Sequence, residues 1–486
     1  MSARDDRPAI AGVGAYAPRL RIAAEEFVEA WGRFDAGGIE EKAVPDADED
    51  ALTMAVEAAR RALAAAGREG DELAHLAFAT TTPPMEEEDL TARLASMLGA
   101  PEDVSTHIAT ASTRAGGQAL DAALDAGPWG EGVGVVAASD CPRGAPDSER
   151  EHAAGAGAGA LVLAGEGPGT VTDRASHVEP YPGTRFRPAG DSETSGLGVT
   201  QYDRDAFTSA LGGAVERLSS VDDAEGGPEV DAAAVQSPDG KLPYRAADAL
   251  GVDTGTIAAA EAAGDLGDTG AASAFLGLAR AREDGADRTL LAAYGSGAGA
   301  NAFVIEAGGV PIEAALAGGE ELSYAEYLRR RGEITSGEPE GGGAYVSVPS
   351  WQRTIPQRHR LVAGQCRACG ALNFPPGGAC SECGDPVAYD RVELSGTGTV
   401  EAATTIAQGG APPEFVEQQS RSGDFVSAIV ALDGPEGGTV SVPAQVLAGD
   451  REVAVGDEVV TTIRRVYEQE GVIRYGFKTQ LAELRR

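Results

Sequence analysis

Four cysteines in two pairs form the most chemically specific pattern in the sequence. The pairs are Cys366-Arg-Ala-Cys369 and Cys380-Ser-Glu-Cys383; a glycine follows each pair, and ten residues separate them. Four thiolates on two tight turns can build the tetrahedral sulfur shell that zinc prefers. Four free thiols or two disulfides are the alternatives, but the glycines and the Pro-Pro-Gly-Gly loop at 375–378 are typical of a zinc ribbon. The pattern therefore predicts a closed, structural zinc site.

The chain is long enough for several domains and is strongly acidic. It has 486 residues, 76 acidic against 39 basic side chains, a net charge of -37 and 5% aromatic residues. This composition is typical of a halophilic protein, because in molar salt the Debye length falls to about 3 Å and self-repulsion is screened. We interpret the acidity as salt adaptation. It disfavours nucleic acid as a partner, since a polyanion would be repelled and no basic patch offsets the charge.

The expected location is the cytoplasm. Four of the five cysteines belong to the two pairs, so the sequence offers no disulfide framework, and a reducing compartment fits. The first six residues are charged and lack the apolar core of a signal peptide. No apolar run approaches the roughly 18 residues of a membrane-spanning helix, so we expect no membrane association.

Helical and strand patterns alternate through the first 330 residues, which predicts an α/β layered fold. Gly-Ala-Gly-Ala followed by an apolar strand occurs at 157 and again at 297, and the element order repeats with it. Two related halves are therefore predicted, each a sheet with helices. The predicted helices are 51–66, 89–98, 114–126, 205–218 and 271–284, and the predicted strands are 73–80, 132–139, 155–164, 230–235 and 289–293.

Short strands separated by glycine turns dominate the chain after Cys383. Five of them in about 90 residues suit a small β-barrel such as an OB-fold, although the stacking aromatics and basic groove of an oligonucleotide binder are missing. The Gly/Glu-rich run at 332–347 is the best linker. The predicted domains are a first half (1–165), a second half (166–331), a linker (332–352), a zinc ribbon (353–390) and the barrel (391–486).

Residues 350–486 resemble the rubredoxin-like zinc ribbon plus OB-fold family that accompanies thiolases and related acyl-CoA enzymes. The two cysteine pairs, Asn373-Phe-Pro-Pro376, Leu394-Ser-Gly-Thr-Gly398 and Val455-Gly-Asp457 carry this resemblance. It implies a module that serves as partner or scaffold for an acyl-CoA enzyme, with a thiolase or condensing enzyme as the expected partner.

Residues 8–331 resemble the thiolase superfamily, and within it archaeal hydroxymethylglutaryl-CoA synthase. This resemblance implies a duplicated thiolase-like fold, CoA or acyl-CoA as ligand and a homo-oligomer formed through the sheets. Six stretches carry it: Gly12-Val-Gly-Ala-Tyr-Ala-Pro-Arg19, Gly144-Ala-Pro146, Gly155-Ala-Gly-Ala-Gly159, Phe186-Arg-Pro188, Pro238-Asp-Gly-Lys-Leu-Pro243 and Tyr294-Gly-Ser-Gly-Ala-Gly299.

The positions that match the family's catalytic residues are substituted. Thr113, or Ser112 one residue away, stands where the family has its nucleophilic cysteine; Gln236 replaces the histidine, Thr81 the glutamate, and Asp268 the asparagine of an Asn-Thr pair. An aliphatic hydroxyl without a base is a poor acyl acceptor near neutral pH. Glutamine cannot shuttle protons, and loss of an acid/base group commonly costs ~10²–10⁴ in rate. The substitutions therefore predict that condensation chemistry is lost.

Other residues with chemical potential are few. By the same resemblance Lys241, and more weakly Arg19, are expected to contact a CoA phosphate. Cys141 could replace the missing nucleophile, but a small packed residue at a strand end is the favoured interpretation. The glycine turn at 295–299 does not precede a helix as phosphate loops do, so it is interpreted as a close-packed turn beside the pocket.

Three hypotheses follow for the function. The first is a catalytically degenerate synthase-like protein that binds or channels acyl-CoA beside a thiolase or condensing partner. The second is an active condensing acyltransferase that uses Ser112, Thr113 or Cys141. The third is a purely structural subunit without a ligand.

Overall fold

The computed structural model describes residues 8–219, 227–334, 346–386, 388–407 and 411–485. The chain forms two compact units: Met1–Pro45, Asp50–Ala95 and Gly99–Tyr324 make the first, and Asp46–Glu49, Ser96–Leu98 and Ala325–Arg486 the second. Among the helices of these described ranges, none is long and apolar enough to cross a membrane.

Two sheets form the framework of the first unit. One sheet has the order β12-β1-β7-β6-β4-β5, the other β8-β11-β10-β9, and a small third sheet has the order β13-β2-β3. The strands are β1 (Ala9–Tyr16), β2 (Leu20–Ala23), β3 (Glu41–Val44), β4 (Leu73–Thr80), β5 (Ser105–Thr110), β6 (Val133–Asp140), β7 (Gly157–Ala164), β8 (Thr170–His177), β9 (Ala232–Val235), β10 (Arg288–Gly295), β11 (Gly299–Glu306), β12 (Ile312–Ala315) and β13 (Glu320–Glu321).

The two large sheets repeat one pattern of strand pairing. In the first, β1 pairs antiparallel with β7, β7 antiparallel with β6, and β6 parallel with β4. In the second, β8 pairs antiparallel with β11, β11 antiparallel with β10, and β10 parallel with β9. The predicted duplication of an α/β layered fold is therefore confirmed.

Helices cover and separate the two sheets. The helices are α1 (Ala24–Trp31), α2 (Ala51–Ala66), α3 (Leu90–Leu98), α4 (Ala115–Ala126), α5 (Glu149–Ala153), α6 (Thr200–Val215), α7 (Leu242–Arg245), α8 (Ala247–Leu250), α9 (Thr254–Ala258), α10 (Ala263–Leu266) and α11 (Ser273–Glu283), with 3-10 turns at Gly70–Glu72 and Gly270–Ala272. Helices α4 and α11 contact strands of both sheets, whereas α2 packs on the first sheet and α6 on the second. The layers are thus helix, sheet, helices, sheet, helix, with the apolar core between them.

The glycines of β1 let α2 approach the sheet closely. A Cβ on Gly14 would lie 2.2 Å from the main-chain oxygen of Ala58, and one on Gly12 would lie 2.7 Å from that of Ala62. This packing explains why the sequence carries Gly-Val-Gly in the middle of the first strand. The side chain of Asp50 caps α2 by accepting from backbone N–H groups of its first turn.

A zinc ribbon and a closed barrel make up most of the second unit. The ribbon sheet has the order β15-β14-β16, and the barrel runs β17-β18-β19-β21-β20. The elements are α12 (Tyr324–Arg330), which begins in the first unit, α13 (Val348–Arg360), β14 (Val362–Cys366), β15 (Leu372–Asn373), β16 (Tyr389–Glu393), β17 (Thr397–Ile406), α14 (Val416–Ser422), β18 (Phe425–Asp433), β19 (Thr439–Leu447), β20 (Glu458–Gln469) and β21 (Val472–Leu481), with 3-10 turns at Pro413–Phe415 and Ala482–Arg485.

All five predicted barrel strands are present, and the small β-barrel is confirmed. The predicted linker needs a correction at its end, because helix α13 begins at Val348, inside the stretch 332–352. Pro349 occupies the first turn of this helix, where its fixed φ fits and no N–H is needed. Residues 335–345 of the predicted linker lie outside the described residues.

Candidate functional site

A strand, a sharp turn and a helix present Thr113 in the interior of the first unit. Strand β5 ends at Thr110, Ala111 takes a φ of 70°, and α4 begins at Ala115. The Thr113 side chain is buried, and its hydroxyl donates to the main-chain oxygen of Tyr294 at 2.8 Å. Thr113 Oγ1 in turn accepts the N–H of Ser296 at 3.0 Å. The one hydroxyl proton is thus already engaged.

The residues next to Thr113 pack against the glycine turn at 295–299. Ser112 Oγ lies 3.4 Å from the main-chain oxygen of Ser296. The aliphatic part of Arg114 fills the space beside Gly295, where a Cβ would lie 2.7 Å from Arg114 Cδ. Burial lowers the pKa of Arg114. The turn is close-packed in the way its sequence indicates.

Gln236 follows strand β9 and is 1% exposed, and neither Oε1 nor Nε2 of its amide has a hydrogen-bond partner. It shares with Thr113 a small cavity of about 30 Å³. The structure therefore brings together two of the positions predicted from the resemblance, Thr113 and Gln236. The other lining residues are Arg150, Thr184, Arg185, Asp203, Pro238, Leu242 and Tyr294.

Thr81, the third predicted position, is used to hold a buried carboxylate. Its hydroxyl donates to Asp140 Oδ2 at 2.8 Å, and its N–H donates to Oδ1 at 2.7 Å. Thr80, Thr82 and the N–H of Ala271 supply four further hydrogen bonds to the same carboxylate. Thr81 is not among the residues that line the cavity.

Sequence reasoning overlooked Asp140, which is completely buried at the end of β6. Its signal was a carboxylate directly after the apolar run Gly-Val-Gly-Val-Val-Ala-Ala-Ser. A buried, isolated charge is very costly, so such a residue must meet several donors. The three consecutive threonines at the end of the neighbouring strand β4 supply them.

Two arginines and two aspartates carry the charge of the cavity and its border: Arg150, Arg185, Asp203 and Asp268. Of these four, a sequence motif indicated only Asp268. Arg185 donates through Nη1 to Asp268 Oδ2, and the resemblance predicts that Asp268 stands in place of an asparagine. Asp268 Oδ1 accepts the N–H of Gly270 at 2.9 Å. Arg150 is the second arginine of the lining, and burial lowers its pKa. Burial raises the pKa of Asp203, while the nearby Arg150 opposes that shift.

Cys141 lies beside the Asp140 network and outside the cavity lining. Its sulfur is 3.8 Å from Thr82 Oγ1, and its N–H donates to the same oxygen at 3.0 Å. Burial, with the nearby carboxylates of Asp50 and Asp140 in support, raises the pKa of the thiol to about 12. A thiolate is the reactive form, so this cysteine is inert near neutral pH.

The predicted CoA contacts do not line this cavity. Lys241 is exposed on the turn before α7. Arg19 forms an ion pair with Glu320, with 3.7 Å between Arg19 Nη1 and Glu320 Oε1. The roles of Lys241 and Arg19 stay predictions.

Two histidines near the substituted motifs are accounted for by packing or exposure. His152 is buried, stacks on Phe34 and accepts the N–H of Asp35. His107 is exposed on β5. Neither lines the cavity, so neither replaces the family's histidine there.

The four ribbon cysteines converge on one point in the second unit. Their sulfur atoms all lie within 4.8 Å of one another, with Cys366 and Cys383 at 3.8 Å and Cys369 and Cys380 at 3.6 Å. A tetrahedral Zn²⁺ with Zn–S bonds of about 2.3 Å spaces its sulfurs by about 3.8 Å. The sulfur geometry therefore fits zinc and leaves no open coordination position.

Backbone and side-chain donors favour the thiolate form of Cys380, the first cysteine of the second pair. Main-chain N–H groups of Cys383 and Glu382 lower the pKa of Cys380. Asn373 Nδ2 lies 3.5 Å from Cys380 Sγ, while Asn373 Oδ1 accepts the N–H of Ser381 at 2.9 Å. Asn373 thus connects the ribbon sheet to the second cysteine turn and orients one ligand from outside the metal shell.

Comparison with known proteins identifies the family of this chain. The chain is 30% identical to a hydroxymethylglutaryl-CoA synthase of Pyrobaculum arsenaticum over 339 residues, covering 65% of this chain and 96% of that protein. A hydroxymethylglutaryl-CoA synthase of Methanopyrus kandleri is 32% identical over 322 residues, or 61% of this chain and 87% of the relative. The chain belongs to the hydroxymethylglutaryl-CoA synthase family. It is a longer member than these two relatives, since they match less than two thirds of it.

Solved structures and a domain family complete the comparison of this synthase family member. "MvaS in complex with 3-hydroxy-3-methylglutaryl coenzyme A" shares its fold with a TM-score of 0.58 at 23% identity, covering 70% of this chain and 95% of that one. 3-Oxoacyl-[acyl-carrier-protein] synthase III from Aquifex aeolicus superposes with a TM-score of 0.54 at 20% identity, covering 62% of this chain and 99% of that one. Residues 353–388 match the ChsH2 rubredoxin-like zinc ribbon domain.

Proposed function

We propose that this member of the hydroxymethylglutaryl-CoA synthase family binds acyl-CoA without condensing it and serves as a subunit or scaffold for a thiolase or condensing partner. The family supplies CoA as the expected ligand, and one solved structure of the same fold contains 3-hydroxy-3-methylglutaryl coenzyme A. In this proposal a homo-oligomer acts in the cytoplasm of a halophile.

The hydrogen bond from Thr113 to the main-chain oxygen of Tyr294 carries the proposal. Acyl transfer to a hydroxyl needs a base that removes the hydroxyl proton. Here the Thr113 hydroxyl donates its hydrogen bond to a main-chain carbonyl, which cannot act as a base at neutral pH. Gln236 beside it has no titratable group. The nine lining residues include neither cysteine nor histidine, and their one carboxylate is Asp203.

The second unit supports the scaffold part of the proposal. Its metal site is closed, which suits a structural role, and its ribbon matches a domain family of its own. We assign the closed barrel to the OB-fold and keep the predicted domains 1–165, 166–331, 353–390 and 391–486. Zinc would hold the ribbon through its four cysteines, while Lys241 and Arg19 are proposed to contact CoA.

Incubation with [14C]acetyl-CoA tests the absence of chemistry, and calorimetry with CoA tests binding. The wild-type chain should bind CoA but form no covalent acetyl adduct after denaturation and gel filtration. The double variant Thr113→Cys/Gln236→His restores a thiol and a base in the same cavity, and it should gain a hydroxylamine-labile adduct. This variant shows that the assay detects acylation on this scaffold.

A wild-type adduct that disappears in Thr113→Ala, Ser112→Ala or Cys141→Ala would overturn the proposal in favour of an active acyltransferase. Calorimetry without a CoA signal in molar potassium chloride would favour a purely structural subunit. Co-purification of a thiolase or condensing enzyme with the tagged chain, lost when residues 353–486 are deleted, is the expected result for the scaffold role.

A further inference from the structure

The cavity beside Thr113 retains hydrogen-bonding capacity that no protein group uses. Gln236 Oε1 and Nε2, Arg185 Nη2 and Asp203 Oδ1 are buried without a hydrogen-bond partner. Native proteins leave few such groups, because each buried and unsatisfied donor or acceptor destabilises the fold. Four of them on three lining residues indicate that the cavity is built to bind a polar group.

The cavity has room for such a group. A cavity needs about 10–15 Å³ to hold a single ordered water, and this one has a volume of about 30 Å³. It therefore has space for more than one water, and a carboxylate at the end of an acyl chain can enter it.

The charged groups around the cavity leave one cationic donor free. Arg150 and Arg185 line the cavity together with Asp203, and Asp268 lies at its border. Asp268 neutralises one end of the Arg185 guanidinium through Nη1 and leaves Nη2 without a partner. Because burial raises the pKa of Asp203, this side chain also offers a proton to an incoming carboxylate more readily than an ordinary aspartate.

The two free donors differ in a useful way. Arg185 Nη2 carries positive charge and Gln236 Nε2 does not. A planar carboxylate can accept from both, with one oxygen toward the guanidinium and the other toward the amide. An uncharged acyl end, such as the methyl of an acetyl group, satisfies neither donor and leaves the arginine desolvated.

We propose that this cavity recognises the terminal carboxylate of a short acyl group, so that the acyl-CoA ligand of this chain is a carboxyacyl thioester of the malonyl-CoA type. The inference rests on the proposed acyl-CoA binding and specifies its substrate class. Arg185 and Gln236 are the specificity-determining residues, and Asp268 positions the arginine.

Calorimetric titration of the full chain with malonyl-CoA, acetyl-CoA and CoA at one fixed salt concentration tests this inference. Malonyl-CoA should bind at least about tenfold more tightly than acetyl-CoA, because a hydrogen bond to a charged group contributes enough for that ratio. In Arg185→Gln/Asp268→Asn, which removes both charges together and leaves no unpaired buried ion, the ratio should fall to about one.

Arg245→Gln is the control for the arginine substitution, because Arg245 is an exposed residue of α7 that does not line the cavity. Its ratio should stay at the wild-type value, and thermal melts of all variants report whether they are folded. Equal affinity for acetyl-CoA and malonyl-CoA, or an unchanged ratio in the folded double variant, would overturn the carboxylate inference and leave acyl-CoA binding intact. Failure of malonyl-CoA, acetyl-CoA and CoA alike to bind would overturn both.

Discussion

The Thr81 hydroxyl donates a hydrogen bond to the carboxylate of Asp140, with 2.8 Å between Thr81 Oγ1 and Asp140 Oδ2. The sequence resemblance predicts that Thr81 stands at the position of the family's glutamate. In this structure the residue at that position donates to a neighbouring carboxylate. The contact explains why a threonine fits there. Its hydroxyl replaces water around a charge that the fold buries completely.

Asp140→Asn should destabilise the first unit by about 3 kcal/mol. Three N–H groups and three threonine hydroxyls donate to this side chain, so the amide NH₂ of asparagine would face N–H groups that cannot accept and hydroxyls that would have to give up their present hydrogen bonds. Chemical denaturation measures the change. Asp205→Asn, an exposed aspartate that accepts one hydrogen bond from Gln201, is the control and should change stability by less than about 0.5 kcal/mol. Equal stability of the two variants would contradict the account of Asp140.

Cys141 should resist alkylation in the folded chain. With a thiol pKa of about 12, almost no thiolate exists at pH 8, so iodoacetamide should label this residue only after denaturation. The raised pKa also means that the folded chain holds this proton more tightly than the unfolded chain, whose thiol titrates near 9.0. The contribution of Cys141 to stability is therefore complete below pH 9 and declines as pH rises toward 12. Cys141→Ala should remove that part of the decline, and rapid labelling of native Cys141 at pH 8 would contradict the prediction.

Asn373→Ala should weaken zinc binding by roughly ten- to a hundredfold without abolishing it, because Asn373 orients Cys380 from outside the metal shell. Competition with a chromophoric chelator measures the affinity. Glu382→Gln, an exposed residue within the same cysteine turn, is the control that should bind zinc as tightly as wild type. Cys366→Ala should lose the metal altogether and loosen the ribbon. An Asn373→Ala affinity equal to wild type would show that the asparagine serves only the backbone turn.

The exposed edge strand β5 should mediate dimerisation. It lies at one edge of the first sheet, and five of its six residues are exposed. One of these is the large apolar residue Ile108, which is 39% exposed. An unpaired edge of this kind is a template for pairing with another strand. Ile108→Lys should convert a dimer to a monomer in light scattering coupled to gel filtration, while Val472→Lys, at an exposed valine on β21, should not. A dimer that survives the first change would place the interface elsewhere.

The sequence predicted the long elements well because their signals are local. The helix at Ala51–Ala66 and the strand at Leu73–Thr80 have the predicted bounds, since an apolar period, a capping aspartate and a closing glycine mark them directly. Strand β5 was not predicted, because most of its residues are exposed and apolar and polar residues do not alternate along it. The short helices between Leu242 and Leu266 were not predicted, because four or five residues are too few to show a helical period of apolar residues.

The site was predictable only in part, for a related reason. Thr113 and Gln236 were found through motifs, and the structure places both at one cavity. Arg185 was not predicted, because its side chain is held by an ion pair with Asp268, which lies 83 positions away in the sequence. No local sequence pattern indicates such an ion pair. Asp140 likewise depends on threonines about 60 positions earlier. Contacts of this separation are fixed by the packing of sheets and helices.

The turn at Ala111 has a consequence for the way the two duplicated halves hold together. Holding an alanine in the left-handed region costs about 1–2 kcal/mol. The turn delivers Thr113 to the carbonyl of Tyr294 and the amide of Ser296, which belong to the other half. The Thr113 hydroxyl therefore joins the two halves. Replacement of Thr113 by cysteine would weaken this connection at the same moment that it introduced a reactive thiol.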